Sequence, residues 1–244
     1  MPHLLLTDRT CSDRLRCAQC LAHSRSICAA LDAADLQEFE RLGRETRFAA
    51  REPLFLEDAA AEAVYNVTEG VVRLCKLLPD GRRQVIGFAL SGDFLGAALG
   101  DRHTFSADAV GPVRVCKTSR NSFWQFVGSR SGIQRRMNEF AARELDQAQE
   151  QMLLLGRRTA EEKVASFLVG WRDRLVRAGG PAAMIPLPMG RQDIADFLGL
   201  TIETVSRTLT KLERDGVIAI VRGGVRFATA SGRKRSPPPR LASA

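Results

Sequence analysis

One stretch of the sequence, residues 191–212, restricts the possible folds more than any other. Its apolar residues follow a helical spacing up to Leu198, a glycine comes next, and a second helical spacing runs through Ile202–Leu212. Thr201 precedes the second pattern, where a hydroxyl can accept a hydrogen bond from a free backbone N–H group. The stretch therefore predicts two short helices joined by a tight turn.

The residues near the turn favour a helix-turn-helix over a simple helical hairpin. Ala195 is small enough to let two helices cross closely, and Gly199 can adopt the left-handed backbone of the turn. Val205 is placed to fill the angle between the helices. The following stretch, 217–227, predicts a hairpin with Gly223-Gly224 at its tip. Together these features predict a winged helix-turn-helix domain.

The outward side of the second helix carries side chains that can reach base edges in DNA. We expect three of them to read bases: Glu203, Ser206 and Arg207. Arg207 can donate two hydrogen bonds to guanine, and Glu203 can accept one from the amino group of cytosine. A solvated helix face would also carry such residues, but the turn and the hairpin make double-stranded DNA the expected partner.

Positive charge is concentrated in the same part of the chain. Residues 187–244 hold ten Lys or Arg against five Asp or Glu, so they account for +5 of the net charge of +8. A basic segment of this kind suits a polyanionic partner. The longest apolar runs fall far short of the roughly 20 residues of a membrane span. We therefore expect a cytoplasmic protein without a membrane partner.

The N-terminal half predicts a small antiparallel roll or barrel. Between about Thr46 and Lys117, short β-branched and aromatic runs alternate with glycines, and Pro79-Asp80-Gly81 is typical of a turn between two strands. A short helical pattern over Leu31–Leu42 precedes this region. The repeated glycines indicate turns before they indicate a ligand site.

A long helix is predicted from about residue 131 to residue 157, and another follows over 160–176. The apolar residues of the first helix recur at steps of four and three, which is the spacing of a coiled-coil seam. The members of this stripe are Ala141, Leu145, Ala148, Met152 and Leu155. The stripe is narrow and charged residues flank it, so we predict a homodimer seam. Packing against the core of the same chain is the alternative.

Six cysteines are unevenly distributed, with four in the first 28 residues. The six are Cys11, Cys17, Cys20, Cys28, Cys75 and Cys116. In a cytoplasmic chain, such clustering favours metal binding or redox chemistry over structural disulfides. Cys75 fits a small core residue within a strand, and Cys11 has no assigned role.

Several short motifs lie in the strand-rich region, at the end of the long helix and in the helix-turn-helix. They are Leu54-Phe55, Tyr65, Gly70-Val71, Ser91-Gly92-Asp93-Phe94-Leu95-Gly96, Leu153-Leu154-Leu155, Ala160-Glu161-Glu162-Lys163, Arg191-Gln192-Asp193-Ile194 and Glu203-Thr204-Val205-Ser206-Arg207. Through these motifs nearly the whole chain resembles the CRP/FNR superfamily of bacterial transcription regulators. The last motif resembles the FNR branch.

The resemblance implies an α+β fold with a definite domain order. A cysteine-rich segment at 1–30 would precede a β-roll sensor domain of the cyclic-nucleotide-binding type at 31–130. A dimerisation helix at 131–158 would lead to a winged helix-turn-helix domain at 159–230. The composition of residues 231–244 predicts a disordered basic tail.

The resemblance also implies partners and contacts. The FNR branch binds palindromes of TTGAT-like half-sites as a dimer and activates transcription together with RNA polymerase. Arg191, Gln192 and Thr201 would contact DNA phosphates, which sets the register without reading the sequence. The turn at Leu78–Arg83 would contact the polymerase.

The resemblance also indicates what the sensor domain recognises, because some positions match the family pattern and others do not. Relatives that bind cyclic AMP carry Glu and an Arg-Ser pair where this chain has Ala97 and Phe105-Ser106. Without that arginine the phosphate has no bidentate partner, so we expect no cyclic nucleotide. Two further departures are Ala148, where the family often has Asp, and Asp58, where it has a turn glycine. Alanine at position 148 removes a like charge from the two-fold seam and should ease dimerisation. Asp58 is compatible with the turn, because Asp tolerates left-handed backbone.

Four cysteines resemble the ligand set of FNR-type oxygen sensors, which implies a [4Fe-4S] cluster and control of anaerobic or microaerobic genes. The set is Cys17, Cys20, Cys28 and Cys116. Arg16 and Lys117 are sequence neighbours of two of these cysteines, so we expect them to favour the thiolate form.

Other readings of the cysteines stay open. The Cys17-Ala18-Gln19-Cys20 pair could bind zinc or act as an oxidisable thiol pair. A haem sensor is weaker, because neither His23 nor His103 has a pocket-like spacing. A thiol oxidoreductase would need a strand before the pair and a helical run after it, and the pattern shows neither. No Ser/His/Asp set or phosphate loop stands out, so we do not expect an enzyme.

Overall fold

The computed structural model describes residues 17–97, 100–157, 159–181 and 183–228. The chain divides into two compact units, with the boundary after Leu153. The expectations for Cys11, for Arg16 and for the tail at 231–244 lie outside the described residues.

The N-terminal unit is a β-roll with helices before and after it. Short 3-10 turns span Cys17–Gln19, His23–Arg25 and Ile27–Ala30. The longer elements are α1 (Ala33–Leu42), β1 (Gly43–Phe48), β2 (Pro53–Phe55), β3 (Ala63–Glu69), β4 (Val72–Leu77), β5 (Arg83–Ala89), β6 (Phe94–Leu95), β7 (Ser106–Ala109), β8 (Val113–Ser119), α2 (Arg120–Gly128) and α3 (Ser131–Arg157). Two antiparallel sheets form, with strand orders β1-β8-β3-β6 and β2-β7-β4-β5.

Alternation along β3 separates two apolar layers, because successive side chains of a strand point to opposite faces. Tyr65 and Val67 pack inside the roll. Val64 lies in a second core outside the sheet, together with Cys28 and residues of α1 and α2 such as Phe123. The N-terminal turns are therefore seated on the outer face of the first sheet.

The loops of the roll behave as the sequence predicts. The chain turns between β4 and β5, and Gly81 takes a positive φ of 82° there. Asp58 has a φ of 64°, so an aspartate supplies the left-handed backbone at this turn. Asp32 begins α1 by accepting a hydrogen bond from the backbone N–H of Asp35 at 2.8 Å. Helix α2 was not predicted from the sequence.

The C-terminal unit contains the winged helix-turn-helix. Its elements are α4 (Ala160–Arg177), β9 (Ile185–Pro186), α5 (Arg191–Leu198), α6 (Ile202–Arg214), β10 (Ile218–Val221) and β11 (Gly224–Phe227). The three strands form an antiparallel sheet in the order β10-β11-β9. Trp171 of α4 donates a hydrogen bond through Nε1 to the Pro186 carbonyl oxygen at 2.8 Å, which ties the sheet to the helices.

The wing differs from the sequence prediction in one detail. Gly223 lies at the tip with a positive φ of 81°, as expected, but Gly224 is the first residue of β11. A Cβ atom on Gly224 would collide with the Ile185 carbonyl oxygen. This glycine is required because β9 approaches closely, and β9 was not predicted.

Candidate DNA-binding surface and cysteine-lined cavity

The turn between α5 and α6 has the geometry that its residues predict. Gly199 adopts φ 61° and ψ 41°, and its backbone N–H donates to the Ala195 carbonyl oxygen. Ala195 and Val205 are fully buried where the two helices pack. The Thr201 hydroxyl accepts from the backbone N–H of Thr204 at 3.2 Å, so it caps α6. The cap and the turn hold α6 at a set angle to α5.

The residues expected to read bases lie together along the outer side of α6. Glu203 and Arg207 are exposed, and Ser206 is half-buried between them. The pKa of Glu203 is lowered, first by hydrogen bonds to backbone N–H and to Thr201, and then by the nearby charge of Arg207. This surface therefore presents a carboxylate acceptor beside a guanidinium donor, which are the groups that base-edge recognition uses.

The residues expected to contact phosphates surround the start of both helices. Arg191 and Gln192 are exposed in the first turn of α5, and Thr201 is exposed at the α6 cap. Arg191 donates through Nη1 to the Ser206 hydroxyl at 3.2 Å, which links the phosphate-contact group to the base-reading group. Gln192 donates to the Asp196 carboxylate at 2.6 Å.

The apolar stripe on α3 is exposed in the single chain. Leu145 is 58% exposed and Met152 is 64% exposed, although both are large apolar side chains. Ala141 and Ala148 are exposed as well, as is Leu155 to a smaller extent. A methyl group of Leu155 lies close to Gly199, but within the described residues the rest of the stripe is not packed on a core of its own chain. It is available to a second copy.

The four cysteines of the expected ligand set line one cavity on the outer face of the β-roll. Its lining is Cys17, Cys20, His23, Cys28, Asn66 and Cys116. Three cysteines come from the N-terminal turns, and Cys116 comes from β8. The space between them is about 10 Å³, roughly one water molecule. Among the described residues, no three His, Cys, Asp or Glu side chains are arranged to hold a single metal ion.

Burial and mutual proximity raise the pKa of three of these thiols, those of Cys17, Cys28 and Cys116. Burial, followed by the neighbouring Cys28 and Glu40, raises the pKa of Cys17 to about 12. Burial also raises the pKa of Cys28 to about 11, although a hydrogen bond with Ser26 opposes the rise. The pKa of Cys116 is raised in the same way, first by burial and then by Cys28. Without metal, these thiols are protonated at neutral pH.

The expectation that Lys117 favours a Cys116 thiolate is wrong. Adjacent strand residues point to opposite faces, and the Lys117 ammonium lies 5.5 Å from the centre of the Tyr65 ring. Its charge is therefore on the other side of the sheet from the cysteines. Cys75 is buried in β4, as expected of a core residue.

A pH dependence of stability follows for the chain prepared without metal. The folded state keeps the Cys17 and Cys28 thiols protonated, whereas the unfolded state releases those protons from about pH 9 upwards. Stability should therefore fall as pH rises from about 9 towards about 12. Urea unfolding at several pH values measures this slope. A Cys17→Ser/Cys28→Ser variant should show a shallower slope, and equal slopes would contradict the assignment.

A second cavity of about 590 Å³ lies beside α3 and the β-roll. Its lining is mostly apolar and includes Phe94, Ala97, Phe105, Trp124 and Phe140. No Lys or Arg is among the described residues that line it. Ser106, which stands at the serine position of the Arg-Ser pair of cyclic-AMP-binding relatives, accepts a hydrogen bond from the backbone N–H of Glu57 at 2.8 Å. The described lining therefore offers no ammonium or guanidinium group to a phosphate.

Two residues of the cysteine-lined cavity were not predicted from the sequence. One is His23, although this residue follows Cys20 by only three positions. The other is Asn66, whose amide interrupts the apolar run of β3 and is almost completely buried. A polar side chain in such a run was the available signal.

Comparison with known proteins matches both the N-terminal and the C-terminal part of the chain to known families. Residues 45–130 match the cyclic nucleotide-binding domain family, and residues 187–218 match the bacterial regulatory proteins of the crp family. The transcriptional activatory protein AadR of Rhodopseudomonas palustris is 60% identical over 93% of this chain and 95% of its own length. The nitrogen fixation regulation protein FixK of Bradyrhizobium diazoefficiens is 57% identical over 86% of this chain and 88% of its own length.

A solved structure is similar as well. FixK2 from Bradyrhizobium japonicum aligns with a TM-score of 0.72 and 39% identity, covering 78% of this chain and 94% of that one. The α+β fold class is confirmed, with its N-terminal β-roll, long helix and C-terminal helix-turn-helix. None of the described helices is long and apolar enough to cross a bilayer. The chain belongs to the CRP/FNR superfamily and is a DNA-binding transcription regulator.

Proposed function

We propose that this regulator is an oxygen-responsive homodimeric activator that carries a [4Fe-4S] cluster. Cys17, Cys20, Cys28 and Cys116 would hold the cluster. With the cluster intact, the dimer would bind palindromes of TTGAT-like half-sites in the cytoplasm and contact RNA polymerase through the exposed turn at Leu78–Arg83. It would take no cyclic nucleotide, because the described lining of the apolar cavity has no lysine or arginine to pair with a phosphate. The meeting of thiols from two distant parts of the chain at one cavity carries this proposal.

The donor set fits an iron–sulfur group. Four thiolates are the ligands that a [4Fe-4S] cluster needs, and soft sulfur donors favour such clusters. Bound iron would hold the thiols deprotonated in spite of their raised pKa values. A cube is larger than the present space, so the turns that carry Cys17–Cys28 must move outwards to admit it.

The packing connects the cavity to the start of the dimerisation helix. Ile27 and Cys28 lie in the same core cluster as Phe126 of α2 and Ile133 of α3. Arg130, just before α3, pairs with Asp35 of α1 at 2.7 Å. Repositioning Cys28 would therefore move side chains that support the first turn of α3, and we propose that this changes how the exposed stripe is presented.

The raised thiol pKa values argue against the competing readings. Thiol oxidation and disulfide exchange proceed through the thiolate, but burial keeps Cys17 and Cys28 protonated at neutral pH. This disfavours a thiol-oxidation sensor or a thiol oxidoreductase whose reactive thiol is Cys17 or Cys28. Zinc is another competitor, because thiols with a neighbouring histidine also suit it.

Metal analysis of protein purified without oxygen tests the proposal. We expect about four iron and four acid-labile sulfide per chain, with a visible absorption band that disappears in air together with DNA binding. Cys116→Ser should lose both iron and sulfide, whereas Cys75→Ser should keep them. Stoichiometric zinc without sulfide, or full DNA affinity in a Cys20→Ser/Cys116→Ser variant, would contradict the proposal.

A further inference from the structure

Two polar side chains at the cysteine-lined cavity have buried atoms without hydrogen-bond partners among the described residues. These atoms are Nε2 of His23 and Oδ1 of Asn66. Both residues line the cavity with the four cysteines. A buried polar atom destabilises the fold unless it is paired. Nε2 of His23 can carry the ring proton and then needs an acceptor, whereas Oδ1 of Asn66 is itself an acceptor, so the donor that Asn66 offers to the cavity is its Nδ2 amide.

Asn66 lies between the cysteines of the two chain segments. On the sheet it is the cross-strand neighbour of Cys116, so both side chains lie on the same face. Its amide Nδ2 donates to Cys28 Sγ at 4.0 Å, a distance suited to sulfur. One of its two N–H bonds is thus directed at a sulfur atom of the N-terminal turns, and the second remains for another acceptor.

His23 is held at the cavity by the turn that carries it. Its backbone N–H donates to the Cys20 carbonyl oxygen at 3.0 Å, which keeps the imidazole close to the loop of that cysteine. The buried Nε2 atom can carry the ring proton and serve as a donor. The sulfur atoms of a cluster are acceptors without donors of their own, so these N–H groups complement them.

We propose that His23 and Asn66 are positioning residues that donate N–H···S hydrogen bonds to the sulfur atoms of the cluster and thereby raise its reduction potential. The inference rests on the proposed function. Hydrogen bonds to sulfur stabilise the more negative, reduced core. Their loss would make oxidation easier and would shorten the lifetime of the cluster in air.

The experiment uses full-length chains reconstituted with iron and sulfide under anoxic conditions. His23→Ala removes one donor, and His23→Gln keeps an N–H group nearby. Asn66→Asp replaces the amide by a carboxylate of the same shape without its N–H bonds, and because the carboxylate also adds a negative charge, the D₂O shift is the readout that reports the lost donor in this variant. Asn121→Ala is the control, because Asn121 is exposed on α2. Readouts are the midpoint potential, the shift of Fe–S stretching bands in D₂O and the rate of bleaching in air.

Each donor-removing variant should bind a full cluster, but its ratio of oxidised to reduced cluster should rise about tenfold. That change corresponds to a midpoint potential lower by ~59 mV for a one-electron couple. The D₂O shift should shrink, His23→Gln should restore the His23→Ala values, and Asn121→Ala should match the wild type. If Asn66→Asp does not fold, the His23 variants decide the question.

The experiment distinguishes failure of the proposed function from failure of this inference. A wild-type chain that takes up no iron and sulfide would overturn both the proposed function and this inference. A loaded wild type whose potential and D₂O shift are unchanged in the variants would overturn this inference alone. Iron–nitrogen vibrations that disappear in His23→Ala would also overturn it, because they would make His23 a ligand of the cluster.

Discussion

Replacing Arg207 by alanine is expected to remove most sequence-specific DNA binding while leaving the fold intact. The side chain is exposed on α6 and beside Glu203, so its removal creates no cavity. A bidentate contact with guanine is worth about 1–3 kcal/mol. A two-fold dimer makes the contact twice, so specific affinity should fall between about 30-fold and about 10⁴-fold. Fluorescence anisotropy with a duplex containing two TTGAT half-sites measures the change.

Arg207→Lys separates recognition from charge. Lysine keeps the positive charge but cannot present the planar pair of donors. We expect this variant to bind unrelated DNA about as well as the wild type and to lose most of its preference for the palindrome. Arg191→Ala should instead weaken binding to all sequences and reduce the salt dependence. Equal losses on the palindrome and on unrelated DNA in Arg207→Ala would show that the residue contacts phosphate only.

Leu145→Glu is expected to convert the dimer into folded monomers. The side chain is 58% exposed in the single chain, so glutamate should not disturb the monomer. Across a two-fold seam, however, it would place two like charges near each other and remove an apolar contact. Affinity for the palindrome should fall at least about 100-fold, because a single recognition helix cannot span two half-sites. Sedimentation and circular dichroism measure the two effects.

The matched control is Gln147→Glu, which adds the same charge on an exposed position outside the stripe. It should sediment as the wild type does and bind DNA equally well. A dimeric Leu145→Glu variant would mean that the subunits associate through another surface. In that event the spacing of the apolar residues on α3 would need a different explanation.

Local chemistry explains which parts of the fold the sequence could predict. The turn at Gly199, the cap at Thr201 and the long helix depend on residues that are close together in the chain, and each was predicted. The role of Gly224 depends on β9, which lies almost forty residues earlier. The glycine pair alone could not reveal that contact.

The cysteine-lined cavity, too, could be predicted from the sequence only in part. The four cysteines were grouped by resemblance, but His23 and Asn66 join them only after the N-terminal turns settle on the outer face of the sheet. The position of Lys117 was predictable, because strand alternation already separates it from Cys116. Adjacency in sequence was a poor guide to adjacency in space.

The small uncharged Ala148 on the exposed stripe has a consequence for how the gene switch responds to its own abundance. If two copies associate there, no buried charge opposes them, and their association depends on concentration by mass action. Overproduction of the regulator in an aerated culture should then switch on part of its target genes without any metal centre. Copy number per cell would act as a second input.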